Sequence, residues 1–311
     1  MSVPSTAEAA ALIPSGWREQ VSRLPAEGGP AGAEWAAGLP RLLADLLEHW
    51  ALTPTSPDTP GMTGWTAVVV PVTRDGEDLV LKVVWPHLEA LAEPLALRRW
   101  AGDGAVRLVA AEPSRGGLLL EALDPSRDLW AEPVEEACEV IGGLLRRLHV
   151  PAPARVRTLS DWLERQLGRL PHHADTVPRR LLEQARSLMD DLATLPDVDG
   201  TLLHTDLHFQ NVLAGQREPW LAIDPKPLAG RPGFELPPVL WNRVDELGTG
   251  SAFRWSVRRR LQVVCEAAGI DEDEARAWVV VRETAEAMSA ADEGDRDALT
   301  LAISLAKAMD D

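Results

Sequence analysis

Tyrosine is absent from this sequence of 311 residues, which excludes every mechanism that needs a tyrosyl acid or nucleophile. Cysteine is scarce, and the two thiols of Cys138 and Cys265 can form neither a disulfide framework nor a four-thiolate zinc site. No stretch approaches the ~20 apolar residues of a membrane span, and the N-terminus lacks the basic and apolar regions of a signal peptide. A soluble, cytoplasmic protein without a membrane partner is therefore expected.

Positive charge is also scarce. Lysine and arginine together number 31, against 48 aspartates and glutamates, which gives a formal net charge of −17. Such a chain is poorly suited to nucleic acid, because binding its backbone depends on Lys and Arg that neutralise phosphates. A small cationic partner is favoured instead, although surface charge for solubility explains the balance equally well. A monomer or weak dimer is expected.

The order of periodic segments predicts an α+β chain with a small lobe over residues 1–123 and a larger, mostly helical lobe over 124–311. In the small lobe, apolar residues at helical spacing from Trp35 to Trp50 are followed by a proline-rich linker at 52–61. The other elements predicted there are a β-hairpin of 65–72 and 79–84 that turns at Asp75-Gly76, a helix over 87–100, and strands over 105–110 and 117–123. In the larger lobe, helical patterns cover 134–148, 158–170, 178–195, 234–247, 253–268, 272–290 and 296–309.

The segment richest in polar side chains is His204-Thr205-Asp206-Leu207-His208-Phe209-Gln210-Asn211, and Asp224 follows it after a short hairpin. Phosphoryl transfer needs a carboxylate that accepts the proton of the attacking hydroxyl, and oxygen ligands that hold Mg²⁺ on the phosphates. Asp206 and Asn211 are five positions apart, the spacing of a kinase catalytic loop, and Asp224 stands where a kinase has its magnesium-binding Asp. Loop capping is the alternative role for both aspartates. His204 is expected to support this loop rather than to bind zinc.

Kinase chemistry also needs a lysine for the phosphates on a strand of the small lobe. Lys82 lies within an apolar strand, and Glu89 and Glu93 share one face of the following helix, so either can pair with it. Glu93 is favoured, although Pro94 directly after it can break or restart the helix.

A phosphate-binding loop is expected just before the first long strand, where Gly61-Met62-Thr63-Gly64 lies. Thr63 and Gly64 are its candidates for nucleotide binding. A plain turn is the alternative for these glycines.

With these residues the sequence resembles the aminoglycoside phosphotransferase family, and most closely its streptomycin 6-kinase and hydroxyurea kinase branch. Matching stretches run in order from residue 35 to about 245. The most specific is LLHTDLHFQNVLAGQREPWLAIDPKPLAGRPGFELPPVLWNR at 202–243. The resemblance implies a bilobal, eukaryotic-protein-kinase-like fold with ATP, GTP not being excluded, between the lobes and a hydroxyl of an antibiotic as acceptor.

The resemblance also implies roles by position. Asp206 corresponds to the catalytic base, Asn211 and Asp224 to the Mg²⁺ ligands, Lys82 to the phosphate lysine, and Glu121 to Leu123 to the hinge that meets adenine through backbone groups. The family usually has glycine where this chain has Thr205.

The favoured acceptor is streptomycin or a related aminocyclitol, because its guanidinium groups suit an acidic cleft. Candidate acids for binding it are Glu235, Asp245, Glu283 and Glu286. A kinase for another small molecule, such as hydroxyurea, and a catalytically silent kinase-like binding protein are the alternatives. A protein kinase is less favoured, because Pro225-Lys226 rather than Phe-Gly follows Asp224.

Overall fold

The computed structural model describes residues 5–27, 29–56 and 59–310. Residues 57 and 58 of the predicted linker lie outside these ranges, as do the first four residues of the N-terminus. The chain forms two compact units. The first comprises the residues up to Gly102 together with Val106–Leu123, and the second comprises Asp103–Ala105 and the residues from Asp124 onward.

The first unit begins with α1 (Thr6–Ala11), α2 (Ser15–Val21) and α3 (Gly32–His49). The helix predicted from the apolar stripe of 35–50 is confirmed as α3. That stripe and the sheet of the first unit form one apolar core, whose fully buried members include Leu39, Leu43, Leu46, Leu47, Val68, Val72, Leu81 and Val83. The N-terminal helices therefore belong to the core of this unit.

The sheet of the first unit contains β1 (Thr53–Pro54), β2 (Met62–Thr63), β3 (Ala67–Arg74), β4 (Glu77–Val84), β5 (Leu108–Glu112) and β6 (Gly117–Glu121). Its order is β1-β3-β4-β6-β5, and β2 also pairs with β3. The predicted hairpin is confirmed as β3 and β4, with φ values of 52° at Asp75 and 84° at Gly76 in the turn. Pro54 lies in the edge strand, where the ladder tolerates a missing N–H donor.

Two predicted elements of the first unit are displaced. The helix expected over 87–100 begins as a 3₁₀ turn at Ala90–Ala92 and restarts as α4 (Glu93–Trp100), because Pro94 fits the first turn of a helix but not its interior. The strand expected from Ala105 begins at Leu108, because Ala105 belongs to the second unit and bridges Ala222 there.

The described part of the second unit contains the helices α5 (Val134–Leu148), α6 (Leu159–Arg169), α7 (Arg179–Leu192), α8 (Pro237–Trp241), α9 (Ser251–Ala268), α10 (Glu272–Glu293) and α11 (Arg296–Ala308). Its strands are β7 (Asp124–Asp128), β8 (Val150–Pro151), β9 (Arg157–Thr158), β10 (Thr201–Leu203), β11 (Val212–Ala214), β12 (Leu221–Ala222) and β13 (Leu228–Gly230). They form small sheets of order β8-β10-β13-β9 and β12-β11-β7. Among the helices in the described ranges, none has the length and apolarity that crossing a bilayer requires.

The single helix predicted over 234–247 is wrong. The structure has a 3₁₀ turn at Pro232–Glu235, the short helix α8 and a second 3₁₀ turn at Val244–Glu246. Pro237 and Pro238 cannot donate backbone hydrogen bonds, and Arg243 has a left-handed φ of 53°, so one continuous helix cannot form.

Candidate active site

Asp206 and Asn211 lie on the loop that joins β10 to β11. The Nδ2 atom of Asn211 donates to the backbone oxygen of Asp206 at 2.8 Å, and the backbone nitrogen of Ile223 donates to the backbone oxygen of Asn211 at 2.9 Å. The predicted base, Asp206, is therefore bonded to one predicted metal ligand, Asn211. The other predicted ligand, Asp224, directly follows Ile223, whose backbone is bonded to Asn211. The side-chain oxygens of Asn211 and Asp224 are the hard ligands that Mg²⁺ prefers, so this donor set fits that ion.

His204 supports the loop from inside the second unit. Its imidazole is fully buried, with Nε2 at 2.9 Å from the backbone oxygen of Ile223 and Nδ1 at 3.3 Å from the backbone nitrogen of Asp206. Burial lowers the pKa of His204, which favours the neutral ring. In that form Nδ1 accepts the Asp206 N–H and Nε2 donates to Ile223.

Thr205 has a left-handed backbone, with a φ of 60°. Such a φ is strained for a β-branched residue and sterically free for glycine, the residue that the resemblance implies at this position. Polar contacts offset the strain. The Thr205 hydroxyl donates to the backbone oxygen of Lys226 at 2.5 Å, and its own backbone oxygen accepts from Arg282 Nη2 at 2.8 Å.

Glu235 corrects one sequence-based prediction. We expected it to bind the acceptor, but its side chain is 1% exposed and its Oε1 atom accepts the backbone N–H groups of His204 and Thr205. Burial alone would raise the pKa of Glu235, but His149, whose Nε2 lies 3.7 Å from Oε2, and the backbone donors outweigh it and lower that pKa. Glu235 therefore carries its negative charge next to the backbone of the loop that contains Asp206.

Arg282 of α10 is a second anchor that sequence patterns did not reveal. Its guanidinium is buried, donates to the backbone oxygens of Thr205 and Phe234, and stacks 4.7 Å from the Phe234 ring centroid and 4.8 Å from that of Trp241. The sequence does contain one indication that Arg282 is buried, because it follows three valines in the stretch Val279–Arg282 of α10.

Lys226 was also missed as a site residue, although it lies only two residues after Asp224. Its Nζ atom forms an ion pair with Asp206 Oδ2 at 3.1 Å. The side chain of Lys226 is 41% exposed and that of Asp206 is 14% exposed.

Lys82 and Glu93 form a buried ion pair in the first unit. Lys82 lies on the central strand β4 and Glu93 begins α4, and the distance from Nζ to Oε1 is 2.6 Å. The two side chains are 7% and 3% exposed. A buried lysine with a helix carboxylate beside it is the arrangement expected for the phosphate lysine.

The glycine loop differs from the expected phosphate cradle. The backbone N–H of Gly61 donates to Leu12 at 2.8 Å and that of Gly64 donates to Ala67 at 3.0 Å, so both glycine amides are used within the first unit. The Trp17 indole also donates to the backbone oxygen of Gly64 at 2.8 Å. The loop is thus the start of a β2–β3 hairpin held by the N-terminal helices, and Thr63 remains its exposed polar side chain.

The expected hinge lies at the end of β6. The backbone N–H of Glu121 donates to Arg107 at 3.0 Å, and its Oε1 accepts the Arg107 N–H at 2.6 Å. The Glu121 N–H is therefore already hydrogen-bonded within the first unit. Contacts with adenine would have to come from other backbone groups between Glu121 and Leu123.

The remaining acceptor candidates divide by exposure. Asp245 and Glu286 are exposed, whereas Glu283 on α10 is fully buried and accepts the Trp241 indole N–H at 2.6 Å. Among the described residues, Oε2 of Glu283 is buried with no hydrogen-bond partner. Burial raises the pKa of Glu283 well above its ordinary value, so the uncharged form is favoured and this residue is a poor ligand for a cationic acceptor.

The Glu283→Gln variant is expected to gain stability over the wild type as pH rises. A raised folded-state pKa means that the folded chain keeps a proton that the unfolded chain has lost, so the wild type loses stability above the unfolded pKa. Glutamine does not ionise and retains an oxygen for Trp241. Urea unfolding between about pH 5 and pH 8 should show a gain that grows by about 1.4 kcal/mol per unit of pH until the folded pKa is passed. Glu293→Gln, at the exposed end of α10, is the matched control. A gain independent of pH would contradict the burial argument.

Comparison with known proteins agrees with this arrangement. A family model described as aminoglycoside/hydroxyurea antibiotic resistance kinase matches residues 49–294. The chain is 44% identical over 266 residues to a hydroxyurea phosphotransferase of Kitasatospora aureofaciens, with 82% of this chain and 74% of the relative covered. It is 40% identical over 280 residues to a streptomycin 6-kinase of Streptomyces griseus, with 87% and 88% covered.

A solved structure supports the fold. It is a thermostable mutant of an aminoglycoside phosphotransferase in a ternary complex with AMP-PNP and hygromycin B, with a TM-score of 0.56, 15% identity, and coverage of 85% of this chain and 95% of that one. The fold is thus the protein-kinase-like fold of small-molecule phosphotransferases. The chain itself belongs to the aminoglycoside/hydroxyurea antibiotic resistance kinase family.

Proposed function

We propose that this protein is an ATP-dependent phosphotransferase that phosphorylates a hydroxyl of a small cationic antibiotic, with streptomycin or a related aminoglycoside as the acceptor. The observation that carries the proposal is the pair of hydrogen bonds that joins Asp206 to Asn211 and Asn211 to Ile223, the residue directly before Asp224. Its residues are the base and the oxygen ligands that phosphoryl transfer requires.

In this mechanism Asp206 orients the acceptor hydroxyl and accepts its proton. The hydroxyl oxygen bonds to the γ-phosphorus, the bond from that phosphorus to the β,γ-bridging oxygen breaks, and ADP leaves. Asn211 and Asp224 would hold Mg²⁺, whose charge offsets that of the triphosphate. Lys82, oriented by Glu93, would bind the phosphates as a fixed cation.

We assign nucleotide binding and acceptor binding to different predicted lobes. We assign ATP binding to residues 1–123, with Lys82 and the backbone of Glu121 to Leu123 as its contacts and Thr63 as a further polar group. Residues 124–311 would supply the catalytic loop and the acceptor site, with Asp245 and Glu286 as exposed acids for a cation.

Two relatives of this chain differ in their acceptor, since one is a hydroxyurea phosphotransferase and the other a streptomycin 6-kinase. The net charge of −17 favours streptomycin, which carries guanidinium groups, over hydroxyurea, which is neutral. Hydroxyurea is nevertheless the second candidate, because a hydroxyurea phosphotransferase shares 44% identity with this chain.

Release of ADP from Mg-ATP tests the proposal. The purified protein is assayed with streptomycin, other aminoglycosides, hydroxyurea and simple sugars, and the Asp206→Asn variant serves as the blank. Turnover with streptomycin is the expected result, and mass spectrometry of the product locates the phosphate. Turnover with hydroxyurea alone would select the second candidate. If no acceptor produces ADP release while ATP still binds, the result would favour a catalytically silent, kinase-like binding protein. Replacing ATP by GTP shows which nucleotide is used.

A further inference from the structure

The ion pair between Lys226 and Asp206 joins the catalytic loop to the segment that follows Asp224. Its length of 3.1 Å puts an ammonium group directly on the carboxylate that is proposed to take the proton. Lys226 is 41% exposed and Asp206 is 14% exposed, so solvent, and therefore a ligand, can reach both side chains.

The backbone of Lys226 is fixed to the same loop on both sides. Its N–H donates to the backbone oxygen of His204 at 2.9 Å, and its carbonyl accepts the Thr205 hydroxyl at 2.5 Å. The second bond depends on Thr205, the residue at which this chain departs from the glycine usual in its family. The backbone of Lys226 is therefore fixed beside the loop that carries Asp206.

Arg282 and His208 are less suited than Lys226 to supply a positive charge beside Asp206. The guanidinium of Arg282 is buried and donates to the carbonyls of Thr205 and Phe234. The Nδ1 atom of His208 accepts the backbone N–H of Gln210 at 3.2 Å, so that ring nitrogen carries no proton. An exposed ammonium fixed beside Asp206 is thus the cation best placed for a charged ligand.

We propose that Lys226 is a catalytic residue whose ammonium group contacts the phosphoryl group during its transfer. This inference rests on the proposed kinase function. An acceptor oxygen within hydrogen-bond reach of Asp206, about 2.6–3.2 Å, must lie about 3–3.5 Å from the γ-phosphorus to react. A cation 3.1 Å from the same carboxylate is within reach of the phosphoryl oxygens.

The pairing also explains why such a contact would strengthen in the transition state. Asp206 holds the ammonium while it is negatively charged, and its attraction falls as it takes the proton of the hydroxyl. The charge on the leaving ADP and on the phosphoryl oxygens then attracts the ammonium more strongly. Lys226 keeps all three protons throughout and contributes charge alone, and interactions that strengthen in the transition state are the ones that accelerate a reaction.

The test compares Lys226→Met and Lys226→Arg with Lys307→Met, an exposed lysine on α11 that is remote in sequence from the catalytic loop. We expect Lys226→Met to lower kcat by about 10²–10³-fold, the typical cost of removing one group that stabilises transition-state charge. The KM values for ATP and acceptor should stay within about threefold, Lys226→Arg should recover part of kcat, and Lys307→Met should match the wild type.

A binding measurement separates a catalytic role from a structural one. Aluminium fluoride with ADP and acceptor mimics the phosphoryl group in transfer, and calorimetry gives the affinity for ADP with and without it. Lys226→Met should bind ADP alone as the wild type does and lose the tightening that aluminium fluoride produces. Retained tightening, or a kcat within threefold of the wild type, would overturn the proposal. An inactive wild type would instead refute the kinase function, and the role of Lys226 with it.

Discussion

The Asp206→Asn variant should lose about 10²–10⁴-fold in kcat, the usual contribution of a positioned general base. Asparagine is nearly the same size, so the backbone bond from Asn211 to residue 206 is kept and the loop keeps its shape. What is lost is the ability to accept a proton from the acceptor hydroxyl, together with the ion pair to Lys226. The measurement is kcat from ADP release, with the ATP dissociation constant from calorimetry.

The affinity for ATP should change little, because Asp206 is proposed to act on the acceptor rather than on the nucleotide. Asp245→Asn, an exposed acid of the same unit, is the matched control, and it should affect only the KM of a cationic acceptor. Turnover within tenfold of the wild type in Asp206→Asn would remove Asp206 from the role of base.

The Glu235→Ala variant should lose about 3–5 kcal/mol of unfolding free energy, the typical cost of breaking a buried charge interaction by removing one partner. Two backbone N–H groups, those of His204 and Thr205, would be left buried without their acceptor. The catalytic loop would lose its anchor as well, so kcat should fall together with stability. Urea unfolding at neutral pH gives the first quantity and ADP release gives the second.

Glu235→Gln distinguishes anchoring from acceptor binding. Glutamine keeps a side-chain oxygen for both N–H groups, so this variant should retain most of the stability that Glu235→Ala loses. An acceptor ligand would behave differently, since its loss would raise the acceptor KM and leave unfolding unchanged. A loss below about 1 kcal/mol in Glu235→Ala would contradict the anchoring role.

The sequence predicted those elements whose conformation depends on residues that are close together in the chain. The Asp75-Gly76 turn needs residues that tolerate positive φ, and both its residues adopt it. The stripe of α3 and the strand that carries Lys82 follow periodicities that depend on neighbours along the chain. The pairing of Lys82 with Glu93 was also predicted, because a strand lysine of this kind needs a carboxylate on the next helix, and Pro94 does not prevent it since α4 begins at Glu93.

Burial of single acids could not be read in the same way. Glu235 and Glu283 look like ordinary charges in the sequence, yet one holds backbone amides and the other meets an indole N–H inside the fold. Their partners come from segments about 30 and 42 positions away, and no local pattern encodes such contacts. The partner of the Gly61 amide could not be predicted for the same reason, since Leu12 is far from Gly61 in the sequence.

The family model begins at residue 49, the last residue of α3. More than half of the buried members of the core that the N-terminal helices share with the sheet precede that residue. A shortened gene that starts at the family boundary would thus encode a sheet with one apolar face open to water, and exposed faces of this kind promote aggregation. The residues that form the core extend beyond the residues that the family model matches. A shortened gene should therefore keep the N-terminal helices.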